Sequence, residues 1–168
     1  SLKQVCKLVE EVGSHITDSQ LLMDLADSSW HLGQYQSAAH LAILGADIAE
    51  QGLGDRETIT RTRMLAGVAL RNLGKFAEAI KEFAKAELLA QQIQDGKLQF
   101  MFHMNFGAVL KDFGHLDSAL RHYRLAEGFW EKPDNDLESM LKSNIGAVLH
   151  TMGKNQEAIE NFRQALPI

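Results

Sequence analysis

Cysteine and proline are scarce in this sequence, which has one cysteine and two prolines among 168 residues. Cys6 has no partner in the chain, so a disulfide framework is excluded and a reducing, cytoplasmic location is expected. Because proline interrupts helices, its near absence, with abundant Ala, Leu, Gln and Glu, predicts an all-α protein. Apolar runs are also short, since none reaches the ~20 residues that cross a bilayer. Membrane insertion is therefore not expected.

Clustered positive charge is missing too. Lys and Arg number 17 against 22 Asp and Glu, and the formal net charge is −5. Nucleic-acid binding requires clustered cations, so nucleic acid is not an expected partner. The seven histidines and the lone cysteine do not form a metal-ligand spacing, and no nucleophile–base pattern is present. We expect no metal, no other cofactor, no catalytic residue and no enzymatic activity.

A repeat of about forty residues organises the chain. Gly33, Gly74, Gly114 and Gly153 recur at intervals of 41, 40 and 39 residues. Each is followed five residues later by an alanine, and a register kept four times does not arise by chance. A fixed period of this length is typical of repeat proteins, in which each unit buries its apolar face against the next.

One unit shows the pattern of a helical hairpin. From Gln99 to Phe113 the apolar residues recur at the three-and-four spacing of one helical face, which predicts a first helix, called A. Gly114 is expected to end helix A in a left-handed conformation, and the chain then turns back into a second helix, called B. A further glycine lies seven residues before Gly74, Gly114 and Gly153. It falls inside helix A, which indicates that a neighbouring helix passes too close for a side chain.

This pattern resembles the tetratricopeptide repeat, a family of right-handed α-solenoids, or superhelices, built from antiparallel helical hairpins. The resemblance is clearest in the third unit, at Phe106, Gly107, Leu110, Gly114, Leu116, Ala119, Tyr123 and Ala126. The family uses about 34 residues per repeat, whereas this chain uses 39 to 41. The longer repeats, with Asn-Phe-Gly at 105–107 and Asn-Ile-Gly at 144–146, resemble those of spindle-orientation scaffolds that bind G-protein regulators and those of kinesin light chains.

The fourth position of helix A departs from the family pattern. The family usually has a large apolar residue there, and the first unit has Leu22, but the later units have Arg63, His103 and Lys142. We expect Phe102, beside His103, to take over this packing in the third unit. Leu141, beside Lys142, is expected to do the same in the fourth unit.

We interpret residues 1–168 as a single repeat domain that is an excerpt of a longer array. Residues 1–13 have the length and apolar spacing of a B helix without its A partner. No polar capping helix follows the last B helix, so self-association through uncapped ends is expected. The four complete repeats are predicted at 18–52, 57–94, 97–131 and 135–167.

The face of helix A opposite its packing stripe is the candidate binding surface. Each residue turns a helix by about 100°, which places this face in the concave groove of a stacked array. Asn105 and Asn144 lie there one repeat apart, and an amide can donate to a peptide carbonyl and accept from a peptide N–H. In the scaffold families that the chain resembles, asparagine at this position contacts bound peptide. The complete set of predicted peptide-binding residues is Arg61, Leu65, Val68, Arg71, Met101, Met104, Asn105, Lys111 and Asn144.

These residue types also have structural explanations. Each asparagine could bond a neighbouring helix, and methionines such as Met104 could pack between adjacent A helices.

The sequence favours a protein-interaction scaffold that binds an extended peptide or partner segment in the concave groove. Two alternatives remain open. The domain would act as a structural assembly module if its array ends or convex face dock on other subunits. It would be a ligand-sensing regulatory domain if the groove binds a small ligand or a signalling peptide.

Overall fold

The computed structural model describes residues 18–52, 54–129 and 135–166, together with Lys7 and Glu11. Within these ranges the regular secondary structure is α-helical, as the composition predicts. The B helix expected at 1–13 lies outside the described residues, apart from the two named above.

Eight helices run through the described ranges and form four consecutive A–B pairs. Each A helix and its B helix are joined by a turn of two or three residues, so every pair is an antiparallel hairpin. The glycine in each of these turns has a φ between +73° and +95°, which confirms the predicted left-handed ends of the A helices. The helices are α1 (Ser19–His31), α2 (Tyr35–Gln51), α3 (Arg56–Asn72), α4 (Phe76–Ala90), α5 (Gly96–Phe113), α6 (Leu116–Phe129), α7 (Asn135–Thr151) and α8 (Asn155–Ala165).

The hairpins are distributed over two compact units, residues 1–92 and 93–168. In the first unit α3 packs against both α1 and α2, so the second hairpin covers the apolar face of the first. In the second unit α7 packs in the same way against α5 and α6. Each unit is therefore a stack of two hairpins with a shared core.

Aspartate begins three of the A helices. Asp18, Asp55 and Asp95 are the N-caps of α1, α3 and α5, and each side chain accepts hydrogen bonds from backbone N–H groups of the first turn. The bonds from the backbone and side chain of Thr58 lower the pKa of Asp55, because they favour its charged form. The A helices thus start at defined residues, which sets the rotation of their side chains.

Each interior glycine of helix A meets an aromatic ring of its own hairpin. A Cβ at Gly107 would lie 2.8 Å from Tyr123, and one at Gly146 would lie 2.8 Å from Phe162. Gly67 faces Phe83 in the same way, and in every case the ring lies 16 residues later. The sequence predicts a close neighbour at these glycines, and the structure identifies it as the ring on the partner B helix. The first hairpin has Ala26 and Ala42 at the equivalent positions, both fully buried.

The fourth position of helix A is buried even where it is polar. Arg63 is 1% exposed and bonds three carboxylates: Glu82 at 2.6 Å, Asp47 at 2.6 Å and Glu50 at 3.0 Å. Burial alone would lower the pKa of Arg63, but these carboxylates raise it above its ordinary value. The cation therefore remains charged inside the stack of the first two hairpins.

The residue 19 positions further along the chain is the partner of this position. Glu82 stands in that relation to Arg63, and the first hairpin has Leu22 and Leu41 there, both fully buried. The third hairpin has His103, whose Nδ1 lies 2.8 Å from Nδ1 of its counterpart on α6. Phe102 is buried as expected, but it packs beside this polar pair instead of replacing it.

Substitution of Gly107 tests the close approach of α5 and α6. In Gly107→Ala the new Cβ meets the ring of Tyr123, and overpacking of this kind costs about 1–3 kcal/mol. Gly128→Ala is the matched control, because no atom lies within 4 Å of the added Cβ and alanine favours a helix by up to about 1 kcal/mol. Urea unfolding should therefore show opposite signs for the two variants, and a neutral Gly107→Ala would contradict the packing.

Replacement of the buried ion pair tests its contribution to stability. Arg63→Leu leaves Glu82, 6% exposed, with only the ammonium of Lys85 at 2.8 Å, and we expect a loss of about 3 kcal/mol in the free energy of unfolding. The double variant Arg63→Leu/Glu82→Leu installs the leucine pair of the first hairpin and should recover most of this loss. Additive losses in a double-mutant cycle would show that the two side chains do not act as a pair.

Candidate functional site

The exposed face of the A helices in the second unit carries a polar contact between neighbouring repeats. Lys111 on α5 donates from Nζ to Oδ1 of Asn144 on α7 at 3.1 Å, and both side chains are half-buried. Among the described residues no carboxylate forms an ion pair with Lys111. The bond therefore joins an uncompensated cation to an amide whose orientation it determines.

The two predicted asparagines differ in their hydrogen bonding. Asn105 donates from Nδ2 to the backbone oxygen of Met101 at 2.9 Å, one turn back along the same helix. Asn144 instead accepts from Lys111 through Oδ1. The two N–H donors of its Nδ2 group therefore point away from Lys111. The intrahelical explanation thus accounts for part of the role of Asn105, while Asn144 is bonded across repeats.

Met104 does not lie on the exposed face of the A helices that carries Lys111 and Asn144, which we call the open face. It is 5% exposed, so it belongs to the buried side of α5, in agreement with the packing alternative for the methionines. Met101, three residues earlier, is half-buried and accompanies Asn105 on the open side. Eleven of the 18 residues of α5 are buried, which leaves only a few positions for its open face.

The first unit presents the remaining predicted residues on α3. Arg61, Leu65, Val68 and Arg71 are all half-buried and recur along one side of this helix. Arg61 pairs with Glu57 at 2.7 Å within the helix, and Leu65 packs against the apolar core of the first hairpin. The structure thus brings these four residues to one helix face, with Val68 as an apolar contact between two cations.

The third hairpin contains a buried pair of histidines. The spacing of histidines in the sequence did not predict this pair. His103 and His122 are each 1% exposed, and the ring of His103 stacks on Phe129 with an angle of 7° between the planes. Arg121 Nη2 lies 3.3 Å from Nε2 of His122, so that nitrogen accepts and His122 donates through Nδ1 to His103. His103 then carries its proton on Nε2, which has no hydrogen-bond partner among the described residues.

Both histidines are held neutral by their surroundings. Burial, followed by the charge of Arg121, lowers the pKa of His103 to about 4. Burial, followed by the charges of His103 and Arg121, lowers the pKa of His122 to about 3. A cationic neighbour makes the pair a poor metal site, and the described residues contain no cluster of three or more metal-ligating side chains. None of the described helices is long and apolar enough to cross a bilayer.

A family model for the tetratricopeptide repeat matches residues 60–93 and 142–167, which cover most of α3, all of α4, most of α7 and all of α8. Two of the four hairpins thus match the tetratricopeptide repeat in sequence, and the other two have the same helical-hairpin fold. No curated protein matches the chain in sequence. The assignment to the subtype with repeats of about 40 residues remains a prediction.

Several solved structures have the same tetratricopeptide fold. BtubC (BKLC) from P. vanneervenii has 19% identity and a TM-score of 0.78, over 88% of this chain and 61% of that one. The apo form of RapI has 16% identity and a TM-score of 0.76, over 88% of this chain and 41% of that one. A Rap conjugation gene regulator of the plasmid pLS20, in complex with a Phr peptide, has 20% identity and a TM-score of 0.69, over 95% and 46%. The chain thus spans 41 to 61% of the length of these proteins, and at such identities the likeness shows the fold alone.

The buried histidine pair predicts a pH dependence of stability. The pKa of both rings is lower in the folded protein than the value of about 6.5 in the unfolded chain. As the pH falls below about 6.5, the unfolded state binds protons first, so the free energy of unfolding decreases until about pH 3 to 4. Urea unfolding at about pH 7.5 and pH 5 measures this loss.

The matched control is the double variant His103→Leu/His122→Leu, which has the leucine pair of the first hairpin. Its stability should change less between the two pH values than that of the parent protein. Equal losses in both proteins would assign the pH dependence to other groups.

Proposed function

We propose that this chain is a protein-interaction module that binds an extended partner segment on the open face of its A helices. The observation that supports this most directly is the bond between Lys111 and Asn144. It is a polar contact on the open side of two repeats, and its geometry orients an amide without using that group's donors.

The chemistry of this pair specifies what it would bind. An ammonium has three N–H donors, and only one is needed for Asn144, so Lys111 keeps donors for a carboxylate or carbonyl oxygen. Nδ2 of Asn144 donates to a peptide carbonyl, while Met101 beside Asn105 provides an apolar contact. An extended segment with an acidic residue fits these groups, since its backbone bonds the amide and its carboxylate pairs with the lysine.

The α3 face of the first unit would bind by the same principles. Arg61 and Arg71 provide cations on either side of Val68, which again favours an acidic segment with apolar residues between its charges. The pairing of Arg61 with Glu57 is exposed, so exchange for a partner carboxylate costs little.

A solved structure with the same fold supports the proposal. The pLS20 Rap regulator, whose structure contains a Phr peptide, has the same tetratricopeptide architecture over 95% of this chain. A peptide-binding role therefore requires no change of architecture, only suitable residues on the A helices.

The asparagine variants test the proposal. A peptide selected from a phage-displayed library against the whole chain is titrated by fluorescence anisotropy against Asn144→Ala, Asn105→Ala and the control Lys81→Ala, which lies on the exposed side of α4. Loss of the amide leaves a buried peptide group unpaired, and this costs about 1–3 kcal/mol, or roughly tenfold to a hundredfold in affinity. We expect the larger loss for Asn144→Ala, because Asn105 already bonds within its helix.

Charge variants separate the cations from the amides. Lys111→Met should weaken binding and reduce its dependence on salt, whereas Arg61→Glu should mainly slow association, as exposed charges at the edge of an interface do. Circular dichroism checks that every variant is folded. If Asn144→Ala and Lys111→Met bind the peptide with the same affinity as the Lys81→Ala control, binding on the open face of the A helices is refuted. The structural assembly module would then be favoured.

A further inference from the structure

The first unit has different residues at the two positions where the second unit has its polar contact. Lys111 lies four residues after the interior glycine of α5, and Asn144 lies two residues before that of α7. Counted in the same way from the interior small residues of α1 and α3, these positions hold Trp30 and Leu65. Because α3 packs on α1 as α7 packs on α5, Trp30 and Leu65 take the place of the polar contact on the open face of the first unit.

Trp30 presents carbon atoms to the open face. The residue is half-buried, and the centroid of its ring lies 5.1 Å from that of His31 and 6.4 Å from that of Tyr35. Its Nε1 is shielded from solvent and has no hydrogen-bond acceptor among the described residues. The accessible surface of the indole is therefore apolar, whereas Lys111 presents an ammonium at the same position.

Leu65 and Val68 continue this apolar surface on α3. Both residues are half-buried, and Leu65 also packs against the core of the first hairpin, which determines its position. A charged side chain placed against Trp30 and Leu65 would lose water without gaining a hydrogen bond from either of them. An apolar side chain has no such cost and gains from its own burial.

The charges around these residues indicate what accompanies the apolar side chain. Helix α1 contains no lysine or arginine, and its Asp24 and Asp27 are exposed, so an acidic residue is repelled there. Arg71 on α3 attracts an acidic residue instead. An apolar residue next to an acidic one fits both helices, with the apolar side chain at Trp30 and the carboxylate at Arg71.

We propose that Trp30 and Leu65 form a specificity subsite in the first unit, which binds an apolar side chain of the segment that lies on the open face. This inference rests on the proposed function, because it states which residue such a segment places against the first unit. The two units then select different chemistry at equivalent positions, since the second unit binds a carboxylate or a carbonyl oxygen at Lys111.

The fluorescence of Trp30 reports occupation of the subsite. The chain has two tryptophans, so Trp130→Phe leaves Trp30 as the single reporter. The probe is a tryptophan-free peptide selected from the phage-displayed library against the whole chain. Its binding should shift the emission of Trp30 to shorter wavelength, because the apolar side chain excludes water from the ring. Replacement of that one side chain by alanine should abolish the shift and weaken binding about tenfold.

An exchange of residues between the units tests the specificity. Trp30→Lys/Leu65→Asn installs the pair of the second unit in the first, and it should bind the selected peptide about tenfold more weakly. A peptide with glutamate in place of the critical apolar residue should bind this variant more tightly than it binds the parent protein. Leu88→Asn is the control, because Leu88 is 71% exposed on α4 and lies outside the open face, so both affinities should stay unchanged.

The outcomes separate this inference from the proposed function, once circular dichroism has shown that each variant is folded. Weaker binding by Asn144→Ala, with unchanged binding by the exchange variant and unchanged emission of Trp30, overturns the subsite alone. Weaker binding of both peptides by the exchange variant also overturns it, because a general loss shows no change of specificity. Unchanged binding by Asn144→Ala and by the exchange variant, or a library that yields no binder, overturns both proposals.

Discussion

The close approach of the two helices in each hairpin is the constraint on which the rest of the structure depends. Gly107 against Tyr123, and Gly146 against Phe162, leave no room for a Cβ between helix A and the ring of helix B. A rotation of either helix would drive a side chain into that space, so the buried and open faces of helix A are determined together. The open position of Lys111 follows from the burial of its opposite face.

The hairpins share this packing of helix A on helix B, but they differ in one buried pair of side chains. Leucine opposite leucine, arginine opposite glutamate, and histidine opposite histidine occupy the same two positions in the first three hairpins. Each pair is matched inside its own hairpin, so an exchange that placed Glu82 opposite a leucine would bury a carboxylate without its arginine. The polar pairs thus favour the correct helix partner among several similar repeats, at a cost that an all-leucine core would avoid.

Sequence alone predicted the features that repeat and missed those that depend on packing between helices. The turn glycines and the interior glycines are visible as periods, and the structure confirms the conformation of the former. His103 and His122 are 19 residues apart on different helices, and only the leucine pair at the same positions of the first hairpin signals their contact. The helical rotation alone places Met104 on the open face, but its burial depends on neighbouring helices, which periodicity does not describe. The bond from Lys111 to Asn144 spans 33 residues and likewise arises from the stacking of two hairpins.

Nuclear magnetic resonance of the side-chain amides offers the most direct measurement of binding on the A helices. The chain has a mass of 18.7 kDa, which suits ¹H–¹⁵N correlation spectra. On addition of a selected peptide, the Nδ2 resonances of Asn144 should shift and its N–H protons should exchange more slowly with water, together with backbone shifts along the open side of α5 and α7. Unchanged Asn144 resonances, with shifts confined to α6 and α8, would contradict binding on the A helices.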